Sequence, residues 1–85
     1  MKRPMLFISS LSQSQIEHLK SLSDYKYPKH FSKISKETQV YTYSDGTLEL
    51  TDSPNVDPEE EIVCTTYDEF LTCWSEYKLW LLLET

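Results

Sequence analysis

An α+β fold of order β-α-β-β-β-α, with a small antiparallel sheet around a central Asp-Gly hairpin and a helix towards each end, is predicted from three features of the chain. Asp45-Gly46 separates two runs of alternating residues. Two segments open with the residue pairs of a capping box. Short apolar runs precede each of these helix starts. Eighty-five residues suffice for one core, so residues 1–85 are expected to form a single domain.

Pro4-Met5-Leu6-Phe7-Ile8 reads as a buried strand, with proline at its start where no ladder donor is needed. Ser12 follows as an N-cap with Gln15 at the third helical position, and Leu11 and Ile16 stand at the two ends of a hydrophobic staple. Ile16, Leu19 and Leu22 make a narrow apolar stripe, and the helix is expected to fade near Asp24. Pro28 prevents a regular element around Tyr25–Phe31. In the hairpin, Asp45-Gly46 as a two-residue type I′ loop pairs Tyr43 with Leu48 and Tyr41 with Leu50. That register puts Tyr41, Tyr43, Leu48 and Leu50 on one face, and Thr42 and Glu49 on the other. Asp52 to Glu61 is a polar, proline-punctuated loop, and Ile62-Val63-Cys64 a third, short strand of the sheet's second half. Thr66 then caps the last helix with Glu69 as its box partner. Tyr67, Phe70, Leu71, Trp74, Tyr77, Trp80 and Leu81 recur along that helix at helical spacing.

Composition narrows the function. A single glycine leaves no Gly-rich phosphate loop, and 13% aromatic residues argue for a folded chain. Cys64 and Cys73 are too few for a disulfide scaffold, and the longest apolar runs are far shorter than a membrane span. A protein of a reducing cytoplasm, without membrane contact, is expected. Neither cysteine nor His18 or His30 has a partner at metal-ligand spacing, so no metal or cofactor is expected. Both cysteines lie in the acidic half, which disfavours a thiolate nucleophile, and the chain is read as a non-enzyme.

Charge is divided along the chain. Residues 1–36 hold seven basic and two acidic residues, whereas residues 37–85 hold Lys78 and twelve acids. Three contact surfaces follow. Asp57, Glu59, Glu60, Glu61, Asp68 and Glu69 are expected to form an acidic surface suited to a basic groove on a protein, with mimicry of nucleic-acid phosphates as one way of filling it. Trp74, Tyr77, Trp80 and Leu82 form an aromatic helix surface for a partner or a homodimer, because Leu79 to Leu83 covers every face of the helix and cannot all be buried. The alternative is a nucleic-acid site in which Lys26, Tyr27, Lys29, His30, Phe31 and Lys33 interleave stacking rings with basic groups. The net charge of −6 weighs against that alternative.

The succession Tyr41-x-Tyr43-x-Asp45-Gly46-x-Leu48, a proline-containing acidic loop, and Glu61-Ile62-Val63-Cys64-Thr65-Thr66-Tyr67-Asp68-Glu69-Phe70-Leu71 resembles small uncharacterised proteins encoded by bacteriophages. The likeness covers residues 39–71. It implies an accessory protein that binds and inhibits a host protein, such as a defence or nucleic-acid-handling factor, in the host cytoplasm. It implies no catalytic residue.

Overall fold

A computed structural model describes residues 1–9, 11–22, 37–51 and 57–84. Its elements are β1 (Arg3–Phe7), α1 (Gln13–Ser21), β2 (Gln39–Thr42), β3 (Leu48–Thr51), β4 (Glu61–Cys64) and α2 (Tyr67–Glu84). The predicted order is therefore the observed one. The four strands form one sheet in the order β3-β2-β1-β4. It is mixed, because β1 pairs antiparallel with β2 but parallel with β4.

Pro4 sits in the central strand β1, between β2 and β4. A residue's N and C=O point to the same side of a strand. The Arg3 N–H donates to Glu60 O on the β4 side, so Pro4 turns its missing donor towards β2. There the Thr42 hydroxyl donates to the Pro4 carbonyl at 2.8 Å, which keeps that buried acceptor satisfied.

Ser12 caps α1 as the sequence predicts. Its hydroxyl accepts from Gln15 N–H, while the Gln15 side chain accepts from Ser12 N–H. Ile16 and Leu19 are buried, Leu11 and Leu22 pack against the core, and α1 ends at Ser21. The start of α2 keeps half of its predicted box. Glu69 N–H donates to the Thr66 hydroxyl, but the Glu69 carboxylate accepts from the Thr65 hydroxyl instead of turning back to the cap backbone. Asp68 and Glu69 occupy the first turn, where the helix dipole favours negative charge.

The hairpin register differs from the type I′ expectation by one residue. Thr42 pairs with Leu48, Tyr41 with Glu49 and Val40 with Leu50. A type I′ turn requires positive φ at Asp45 as well as at Gly46, yet Gly46, at φ +87°, is the one described residue with positive φ. The loop takes three residues, Ser44-Asp45-Gly46. Gly46 N–H closes a turn on Tyr43 O, and Tyr43 N–H donates to Thr47 O. The Asp45 carboxylate accepts from both the backbone N–H and the hydroxyl of Thr47, holding the loop in this form. Val40, Thr42, Leu48 and Leu50 consequently share the inner face with Leu6 and Cys64. Tyr41, Tyr43 and Glu49 turn to the opposite face, where the two tyrosine rings meet edge to face at 5.3 Å.

On the inner face α2 lies chiefly over β1, burying Tyr67, Phe70, Trp74 and Tyr77 at spacings of three, four and three. The rings of Tyr67, Phe70 and Trp74 close a core with Leu6, Ile8, Leu19, Val40, Leu48 and Leu50.

Candidate functional site

The end of α2 is positioned by two hydrogen bonds to the hairpin loop. Trp74 Nε1 donates to Gly46 O at 2.9 Å, and the Tyr77 hydroxyl donates to Ser44 O at 3.0 Å. The Lys78 ammonium lies 4.1 Å from the centre of the Trp74 ring. Helix and loop fit so closely that a β-carbon on Gly46 would stand 3.3 Å from Leu81 Cδ1. Beyond this clasp the helix continues to Glu84. Leu79 is 57% exposed, and Leu82 and Leu83 are each 75% exposed.

Trp80 is half-buried, with its ring 5.6 Å from that of Tyr77. Together with Met1, Lys2, Arg3, Glu59 and Glu60, these two rings line a cleft of about 370 Å³. A smaller cleft of about 190 Å³ lies between the hairpin loop and α2, lined by Asp45, Gly46, Lys78, Leu81 and Leu82. The acidic turn is well held: Asp57 O accepts from the N–H groups of Glu60 and Glu61, and the Asp57 carboxylate accepts from Glu59 N–H. Exposed Glu59 and Glu60 therefore flank the aromatic end of α2.

Other residues assigned to these surfaces from sequence fall elsewhere. Trp74 and Tyr77 are buried residues, Trp74 within the core cluster, and the polar atoms of both are taken by the hairpin loop. Glu61 is no surface acid. Parallel pairing of β4 with β1 sets it beside Arg3, and its side chain is 4% exposed at 3.8 Å from the guanidinium. Asp68 and Glu69 are exposed but stand at the far end of α2, about 18 Å along its axis from Trp80. The six acids thus do not form one row. Leu79 and Leu83 join Trp80 and Leu82 at the surface; the unbroken apolar run 79–83 was their signal in the sequence. Exposure of Ile62 and Val63 on β4 had no such signal, because a short apolar run reads as buried. The alternative nucleic-acid residues Lys26, Tyr27, Lys29, His30, Phe31 and Lys33 lie outside the described residues.

Among the described residues no three His, Cys, Asp or Glu side chains are grouped to hold a metal ion. His18 Nδ1 is hydrogen-bonded to the Tyr67 hydroxyl, tying α1 to the start of α2. Burial, and secondarily Asp68, raises the pKa of that phenol. The Cys64 thiol is pushed from its ordinary 9.0 up to about 12, first by desolvation and then by the neighbouring Cys73 and Glu69. A thiol that is harder to ionise when folded stabilises the fold fully below its unfolded pKa and loses that contribution as pH rises through the folded one. Stability is therefore expected to fall between about pH 9 and about pH 12, and to fall less in Cys64→Ala, as read by urea unfolding. At pH 8 iodoacetamide is expected to alkylate half-buried Cys73 in the native protein and Cys64 only after unfolding. Equal native rates for the two thiols would contradict this.

Among the described residues no helix is long and apolar enough to cross a membrane. No protein-family model, no curated protein and no solved structure matches the chain.

Proposed function

We propose that this protein is a non-enzymatic binding protein that docks on another protein and inhibits it, as products of phage accessory genes do in a host cytoplasm. The reading rests on one observation: Leu79, Leu82 and Leu83 project from a helix end that Trp74 and Tyr77 clamp to the hairpin loop. Apolar side chains on a rigid element lose little conformational entropy when a partner covers them. Trp80 extends the patch, and Glu59 and Glu60 supply an acidic rim. Such a rim speeds encounter with a basic surface and makes binding weaken as salt rises.

Capture from a bacterial lysate with the tagged protein, repeated with Leu82→Ser plus Leu83→Ser, tests this. Both leucines are exposed, so the variant should keep its stability to within about 1 kcal/mol. A protein retained by the parent should bind the variant at least about 30-fold more weakly, as truncation of an interface anchor typically costs about 2 kcal/mol or more. A captured protein that binds both equally would overturn the proposed docking surface.

A further inference from the structure

Among the described residues, strand β4 is an outer strand of the sheet, paired only with β1. In a parallel ladder, alternate residues of a strand face the neighbour. Arg3 N–H donates to Glu60 O and Arg3 stands opposite Glu61, so Ile62 and Cys64 turn their backbone groups to β1. Glu61 and Val63 turn theirs outwards. The Glu61 N–H is satisfied by Asp57 O, which leaves the Glu61 carbonyl and both backbone groups of Val63 along the open edge. The side chains there are apolar on both faces, with Ile62 42% and Val63 40% exposed. Natural edges are usually blunted by lysine, proline or a bulge, and Glu61–Cys64 has none of these.

What pairs with this edge is decided by charge. Asp57, Glu59 and Glu60 stand exposed before β4, and Asp68 and Glu69 stand exposed after it. No lysine or arginine occurs from residue 57 to residue 77. A second copy of β4, laid on this edge in either direction, would set acid against acid at both ends. Like charges brought together in this way oppose association. We propose that β4 accepts, by strand addition, an extended segment of another protein that carries apolar residues in its middle and lysine or arginine at each end. Backbone hydrogen bonds to Val63 and the Glu61 carbonyl hold such a segment, and the flanking carboxylates select its basic ends. This site is separate from the α2 end and does not depend on it.

The test is a titration of the isotope-labelled protein, followed by amide NMR, with three synthetic hexapeptides. One carries lysine at both ends and valine between them, one replaces each lysine by glutamate, and one is the lysine peptide N-methylated at every residue, which leaves no N–H on either side of the strand. Expected are shifts concentrated at residues 61–65 with the lysine peptide, at least about tenfold weaker binding of the glutamate peptide, and loss of those shifts on N-methylation. Glu59→Lys with Asp68→Lys, both exposed, should weaken the lysine peptide about tenfold while the spectrum stays folded. The inference is overturned by N-methylated peptide binding equally well, by shifts confined to Leu79–Leu83, by no shifts at millimolar peptide, or by concentration-dependent shifts at Val63 without peptide, which would mark self-pairing.

Discussion

Replacement of Phe70 by alanine is expected to destabilise the fold by about 3–5 kcal/mol, the range for emptying a buried aromatic site. Phe70 has no exposed surface and lies where α2 crosses the sheet, within the cluster formed by Leu6, Ile8, Val40, Leu48 and Trp74. A chain of 85 residues has about 4–13 kcal/mol to lose in total, so this one cavity removes a large share of the margin. Urea unfolding followed by far-ultraviolet circular dichroism should show the midpoint displaced to low denaturant, with the slope m kept if two-state behaviour holds. Leu83→Ala, on the exposed side of the same helix, should change stability by less than about 0.5 kcal/mol. A loss below about 2 kcal/mol for Phe70→Ala would mean that α2 does not carry the core.

Arg3→Met is expected to cost about 3 kcal/mol, because it strands the buried Glu61 carboxylate without its counter-charge. The pair is not ideally made. The guanidinium is shared among Glu61 at 3.8 Å, exposed Glu60 at 3.4 Å and the Tyr41 hydroxyl at 3.4 Å, while Arg3 Nε and Glu61 Oε2 have no hydrogen-bond partner. A pair so imperfectly satisfied contributes little net stability when intact, yet is costly to break from one side. Arg3→Met combined with Glu61→Leu should therefore recover most of the loss. The comparison is a double-mutant cycle by urea unfolding, and additive losses in the double variant would show that the two side chains do not interact.

Local chemistry accounts for the parts of the fold that were legible in the sequence. The Ser12–Gln15 box, the Thr66 cap, the Asp45-Gly46 loop and the spacing of Tyr67, Phe70, Trp74 and Tyr77 each involve groups within a few residues of one another. Their order along the chain was then enough to predict β-α-β-β-β-α. The hairpin register was not legible, because Asp-Gly serves both a two-residue loop and a three-residue loop. The choice between them sets which alternate residues are buried. With the three-residue loop, Val40 and Leu48 are placed under α2 and the tyrosine hydroxyls of Tyr41 and Tyr43 are kept on the other face.

The candidate surfaces divide in the same way. Within the run Asp57 to Glu61 every acid has the composition of a solvated loop, and only the parallel pairing of β4 with β1 withdraws Glu61 from water. Along α2 the aromatic stripe is local, but contacts with Ser44 and Gly46 determine that Trp74 and Tyr77 are consumed by the core. What remains exposed is the final leucine face. From its sequence alone this protein has its elements, their caps and its excess of acid, since these depend on neighbours along the chain. Which rings and which carboxylates are left for a partner was decided by the tertiary structure, because burial depends on strand register and helix placement across residues far apart in sequence.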